Sequence, residues 1–216
     1  MNNINILVLV SGGGTNLQSL IDAEKNGDFN FDSYCGNISL VISDREGVYA
    51  LERARVAGIA GIIEKPDKKL PKPERRRELS DRILRHCREK NIGLIVYSGF
   101  LSLLRGDIIE EYAGKMINIH PALLPKFGGL GMYGENVHRA VLEAGETESG
   151  CTIHLVDAGT DTGPVLLQRK VPVLPGDTTE ILAARVLIEE HIAIVDGVKL
   201  MLKSLNNAPC DGIKQR

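Results

Sequence analysis

Three polar side chains stand where the spacing lets them do chemistry. In Met116-Ile117-Asn118-Ile119-His120-Pro121, Asn118 and His120 are two apart at the end of an apolar run. A strand there points both to one face. A histidine exchanges a proton near neutral pH, and an asparagine amide hydrogen-bonds an oxygen that becomes negative. Downstream, Asp157-Ala158-Gly159-Thr160-Asp161-Thr162-Gly163-Pro164 reads as a loop between two strands. A carboxylate there could orient His120 and raise its basicity. Taken singly, a strand-end histidine also serves packing and an Asp-Thr-Gly turn also serves the turn. Together, Asn, His and Asp suit acyl transfer without a covalent intermediate, and no Gly-x-Ser-x-Gly nucleophile motif is present.

A second feature is Ser11-Gly12-Gly13-Gly14-Thr15-Asn16, between an apolar run and a helical pattern. A helix N-terminus offers free N–H groups and the positive end of a dipole, and glycines let the backbone close around an anion. No Gly-Lys-Ser/Thr follows, so a triphosphate loop is disfavoured, and Leu17 stands where a dinucleotide fingerprint needs its third glycine. A small phosphate monoester is the ligand class that remains. A plain glycine turn is the alternative.

The elements that must hold these groups follow from periodicity. Apolar runs predict strands over residues 4–10, 38–43, 59–64, 93–98 and 116–119. Helical patterns fall over residues 15–26, 46–57, 74–90 and 107–113, with a proline-broken loop over 65–72. After His120 the pattern changes: a loop over 121–134, a helix over 135–144, two longer strands over 151–156 and 165–173 that pair antiparallel, and a closing helix over 178–205 capped by Asp177 or Thr178. The fold class is therefore α/β: a doubly wound, mostly parallel, Rossmann-like sheet with an antiparallel C-terminal portion. One domain is expected over 1–216, with a phosphate-binding half over about 1–115 and a catalytic half over about 116–205.

Composition agrees. The 216 residues are 43% hydrophobic and 25% charged with net charge -2, which excludes disorder and a polycationic nucleic-acid binder. Glycine is abundant, at 23 residues against no tryptophan. Cys35, Cys87, Cys151 and Cys210 have neither metal-ligand spacing nor a disulfide pattern, so no metal is expected. The run at 6–10 is too short for a signal peptide or membrane span, and a cytoplasmic protein is expected. Lys65, Lys68, Lys69, Lys72, Arg75, Arg76 and Arg77 make a basic stretch, with no aromatic residues interleaved for nucleic acid. His154 could be structural or face the site, whereas His86, His138 and His191 fall on helices as surface or packing residues.

Asn118-Ile119-His120-Pro121-Ala122-Leu123-Leu124-Pro125, between the Ser11–Asn16 cluster and Asp161-Thr162-Gly163-Pro164, resembles the folate-dependent formyltransferases, and among them the group acting on glycinamide ribonucleotide in purine biosynthesis. The resemblance runs from the first strand to about Leu202. It implies formyl transfer from the co-substrate 10-formyltetrahydrofolate to the glycinamide amine without metal, in a monomer or homodimer. By position, Asn118 would bind the formyl oxygen, His120 would be the acid/base group and Asp161 would assist it. Gly14, Thr15 and Asn16 match the phosphate-binding residues, and Glu190 matches the glutamate that holds the glycinamide end. Arg76, Leu101, Ser102, Leu103, Leu104, Asn118, Asp157, Ala158, Gly159, Thr160 and Asp161 match folate-side positions. Ala122 stands where relatives usually carry serine and Ser102 where many carry arginine. The glycine-rich stretch 128–134 is longer than in many relatives and reads as a flap by the site. The alternatives are a formyltetrahydrofolate hydrolase, a formyltransferase for another amine and a non-catalytic phosphate-binding module. A first strand at Ile4 leaves no room for the hydrolases' N-terminal domain, and no RNA-binding domain is expected after the closing helix.

Overall fold

The computed structural model describes residues 2–207; Cys210 lies outside them. One sheet of seven strands runs through the protein in the order β3-β2-β1-β4-β5-β6-β7. The strands are β1 (Asn2–Val10), β2 (Tyr34–Ser43), β3 (Gly61–Ile63), β4 (Ile92–Tyr97), β5 (Met116–His120), β6 (Glu148–Leu155) and β7 (Val165–Pro172). The helices are α1 (Thr15–Lys25), α2 (Tyr49–Val56), α3 (Lys72–Glu89), α4 (Asp107–Glu111), α5 (Glu135–Glu143) and α6 (Thr179–Asn207). Strands β1 to β5 pair in parallel, while β6 runs antiparallel to β5 and β7 antiparallel to β6. The sheet is thus mixed, mostly parallel with an antiparallel C-terminal end.

Apolar residues on both faces explain why the central strands read as continuous runs. Ile6, Val8 and Val10 of β1 join α1, α2 and α6 in one core, whereas Leu7 and Leu9 join Leu79, Ile83 and Leu84 of α3 in the other. Cys87 and Cys151 are buried, and burial pushes each thiol up to about 12. Among the described residues no helix is long and apolar enough to cross a membrane.

Several boundaries move for identifiable reasons. β2 begins at Tyr34, because the whole length of β1 pairs with it and carries Asn37 into the ladder despite its polarity, while Ser39 is passed over at a register shift. α2 starts at Tyr49 rather than 46, since Gly47 takes φ 68, a left-handed conformation incompatible with a helical turn. α3 begins at Lys72 with Pro73 in its first turn, where a missing N–H costs nothing. β3 shortens to three residues at the sheet edge. Thr178, not Asp177, meets the start of α6: its hydroxyl accepts from Ile181 N–H at 3.4 Å, while Asp177 is held by Arg185.

Candidate active site

β5 positions the central pair. It is offset along β4, with Met116 beside Ile95 and Asn118 beside Tyr97, the last residue of β4, so that Ile119 and His120 project beyond that strand. Alternation puts Asn118 and His120 on one face and sends Ile117 and Ile119 into the α1/α6 core. Antiparallel β6 sets His154 directly opposite Asn118.

The loop between β6 and β7 folds back over this face. Asp161 there has φ 57, a left-handed conformation that aspartate tolerates better than most residues, and it turns its carboxylate inward. Asp161 Oδ2 lies 3.6 Å from His120 Nδ1 and accepts from Gly129 N–H at 3.0 Å. Asp161 Oδ1 is 3.5 Å from Asn118 Nδ2 and 3.6 Å from His154 Nε2.

Hydrogen bonds behind the cluster fix its protons. His120 Nε2–H donates to the Phe127 carbonyl at 2.8 Å, which leaves Nδ1 as the bare nitrogen facing Asp161. The loop carrying Phe127 is itself pinned, since Leu124 N–H donates to Thr152 Oγ1 and that hydroxyl donates to the Ala122 carbonyl. His154 Nδ1–H donates to the Leu155 carbonyl at 2.8 Å, so its Nε2 accepts from Asn118 Nδ2 at 3.0 Å. That contact orients the Asn118 amide. Its second N–H reaches Asp161 only at the 3.5 Å limit and stays available to a ligand oxygen.

Burial decides the charges. It lowers the pKa of His120, outweighing the nearby Asp161 carboxylate and the Phe127 hydrogen bond. Asp161 does raise the basicity of His120, as its place in the sequence suggested, but burial lowers it further, so the ring is uncharged at neutral pH. Burial would raise Asp161, but contacts from His154, Gly129 N–H and His120 together hold it below the usual carboxylate range.

A cavity of about 570 Å³ opens onto this cluster. Its wall includes Asn118, His120 and Asp161, together with Asn16, Glu190, Lys72, Arg75 and Arg76. Asn16 Nδ2 donates to Glu190 Oε2 at 2.8 Å, and burial raises the pKa of Glu190 despite that bond. Gly14 precedes α1 with φ 72 and Thr15 is exposed, and of the three expected phosphate residues only Asn16 lies on the cavity wall. Loop residues 129–134 line the cavity, as expected of a segment beside the site.

Not every expected residue reaches the wall. Leu101, Ser102, Leu103 and Thr160 do, but Leu104 turns into the α3 core. Asp157 is occupied by its own turn, accepting from Gly159 N–H and the Thr162 hydroxyl, and Ala158 and Gly159 lie exposed outside. Ala122 is buried. Ser102 also donates to Asp44 Oδ2 at 2.6 Å.

Helical periodicity assigned His138 to packing or the surface. It is buried on the cavity wall, and its Nδ1 has no partner among the described residues. Only the approach of α5 to the site reveals this. Among the described residues no group of three or more His, Cys, Asp or Glu side chains could hold a metal ion.

A glycine turn at the first helix of a largely parallel sheet, with Asn and His on β5 met by an Asp from the β6–β7 loop, defines a class. The chain belongs to the formyl transferase family, whose profile matches residues 4–198. Within it, the chain is 40% identical over 192 residues to phosphoribosylglycinamide formyltransferase of Escherichia coli, covering 87% of this chain and 82% of that one. It is 43% identical over 197 residues to the trifunctional purine biosynthetic protein adenosine-3 of Drosophila pseudoobscura pseudoobscura, covering 91% of this chain but spanning only 14% of that protein's length. The crystal structure of glycinamide ribonucleotide transformylase 1 from Symbiobacterium toebii superposes with TM-score 0.83 at 38% identity, covering 93% of this chain and 88% of that one.

Proposed function

We propose that the protein transfers a formyl group from 10-formyltetrahydrofolate to the amine of glycinamide ribonucleotide, a step of purine biosynthesis. The observation that carries this reading is the pairing of His120 Nδ1, bare and neutral, with a charged Asp161 at 3.6 Å, beside an Asn118 amide whose second N–H is held only at 3.5 Å. The named activities of the E. coli and S. toebii relatives support it.

In this reading the substrate phosphate sits on Gly14, Thr15 and Asn16, and Glu190 holds the glycinamide end. The pterin lies along Leu101 to Leu103 and Thr160, and the anionic tail of the folate faces Arg76, Arg75 and Lys72. The neutral amine attacks the formyl carbon, and the carbonyl oxygen takes the negative charge. Asn118 donates to that oxyanion; such a donor is worth on the order of 10²–10³ in rate. His120 Nδ1 takes the proton from the attacking nitrogen, directly or through a water. The resulting imidazolium is stabilised by Asp161 and can then donate to the oxyanion. As the C–N bond to the folate breaks, His120 returns the proton to the departing nitrogen, giving tetrahydrofolate and the formylated amide. Side-by-side binding supplies the remaining acceleration.

The test is incubation with 10-formyltetrahydrofolate, with and without glycinamide ribonucleotide, following loss of the formyl group from folate. Turnover that requires the amine is expected. Amine-independent turnover would make the protein a hydrolase, and no turnover at all would refute catalysis.

A further inference from the structure

We infer that Arg53 is a positioning residue for the phosphate-binding turn, holding its backbone from behind so that successive N–H groups face the phosphate. The inference rests on the phosphate assignment above and names a residue outside the cavity wall.

The evidence lies in where two carbonyls go. Arg53 on α2 donates from Nε to the Gly13 carbonyl at 2.9 Å. Ala50 N–H, at the start of the same helix, donates to the Gly12 carbonyl at 3.2 Å. Across a trans peptide the C=O and the following N–H point in opposite directions. Tying the carbonyls of residues 12 and 13 toward α2 therefore aims Gly13 N–H and Gly14 N–H away from it. They join the amides of the first turn of α1, which has no acidic residue and no side-chain cap to occupy them. Gly14, left-handed at φ 72 and ψ 34, completes the concave run of amides that binds anions.

Arg53 is itself fixed at three points. Nη1 donates to Gln18 Oε1 at 2.9 Å, and the guanidinium lies 4.8 Å over the Tyr49 ring. Gln18 belongs to α1, so one side chain ties the glycine turn to both flanking helices. A methyl group on Gly14 would come within 2.6 Å of Ala50 Cβ, which shows how closely α2 backs the turn. The turn contains no lysine, so the arginine behind it also supplies a fixed positive charge.

The experiment compares the wild type with Arg53→Met, Arg53→Lys and Gln18→Leu. Ribose 5-phosphate is titrated by calorimetry, and KM for glycinamide ribonucleotide and for the formyl donor are measured separately. Arg53→Met is expected to weaken ribose 5-phosphate roughly tenfold or more and to raise KM for the ribonucleotide by a similar factor. The donor KM and kcat stay within about twofold, because the change acts only on the phosphate. Arg53→Lys, which keeps a donor and the charge, recovers most of the loss. Gln18→Leu leaves Arg53 in place and shifts the same constants by a smaller factor, which keeps the test open if Arg53→Met does not fold.

Unchanged ribose 5-phosphate affinity in a folded Arg53→Met protein would overturn the inference. So would a parallel deterioration of both KM values and kcat, or a wild type that does not bind ribose 5-phosphate. The titration reads the turn without catalysis. A wild type that binds the sugar phosphate in an Arg53-dependent way but transfers no formyl group would support this inference and sink the formyl-transfer reading alone.

Discussion

Replacing Asp161 by asparagine tests the mechanism at its most charged point. Asparagine can still accept from Gly129 N–H, as Oδ2 of Asp161 does at 3.0 Å, so the loop keeps its anchor. What disappears is the negative charge 3.6 Å from His120 Nδ1. With both side chains largely withdrawn from water, an effective dielectric constant near 20 makes that charge worth roughly 4–5 kcal/mol to a protonated His120. The resting enzyme does not use this stabilisation, because burial keeps His120 neutral. In the proposed mechanism the transition state does, because His120 then carries the amine's proton. At about 1.4 kcal/mol per factor of ten, kcat should fall by roughly 10³–10⁴. The acid limb of the rate, set by protonation of His120, should also move to lower pH, since removing an anion makes the imidazolium harder to form. Steady-state kinetics across pH, following loss of the formyl group, measures both. A variant with kcat within tenfold of wild type and an unmoved acid limb would refute the idea that Asp161 acts through charge on His120.

Two further outcomes are expected. Gly14→Ala combines a left-handed backbone with a methyl group 2.6 Å from Ala50 Cβ, and should cost roughly 2–5 kcal/mol in urea unfolding; a loss under about 1 kcal/mol would show that α2 can retreat from the turn. Burial lowers the pKa of both His120 and His138 below the ordinary 6.5, so the unfolded chain takes up protons more readily than the folded one. Their contribution is complete above pH 6.5 and is lost as pH falls below it. Glu190, raised by burial, works in the opposite sense, losing stability as pH rises through its folded pKa. The melting temperature should therefore fall less on acidification through about pH 6.5 in His138→Gln than in the wild type, and equal slopes would contradict this.

Local patterns revealed the parts of the site that local geometry builds. Asn118 and His120 share a face because a strand alternates, and Gly14 to Asn16 make a helix start because glycine ends the strand. Both features were legible in the sequence. Arg53 and His138 were not, because their roles arise when α2 backs the glycine turn and α5 closes on the cavity, and neither approach leaves a periodic trace. Asp157 and Asp161 look interchangeable in one turn until the loop folds: Asp157 then satisfies its own turn while the left-handed backbone at Asp161 turns that carboxylate inward. Leu104 belongs to the same short apolar segment as Leu101, and only packing against α3 separates core from wall. The sign of the shift on His120 was hidden for a similar reason. A neighbouring carboxylate can be guessed from sequence, but the depth of burial that outweighs it cannot.

The sheet order explains why these groups meet at all. β1 lies between β2 and β4, so the chain leaves β1 toward one side and β4 toward the other, opening a crevice at their carboxyl ends. The glycine turn follows β1 and the segment from Ser98 follows β4. They are stitched across the crevice by Leu101 N–H donating to Ser11 Oγ at 2.8 Å. A parallel sheet could supply a glycine turn and a neighbouring cleft in this way. The switch to antiparallel pairing puts β6 beside β5 through a register that sets His154 against Asn118, and the short return into β7 drops Asp161 onto the same face. The parallel half thus builds the crevice, and the antiparallel half delivers the charged and hydrogen-bonding groups into it. Moving β6 by one residue would turn His154 into the opposite core and leave the Asn118 amide without the partner that orients it.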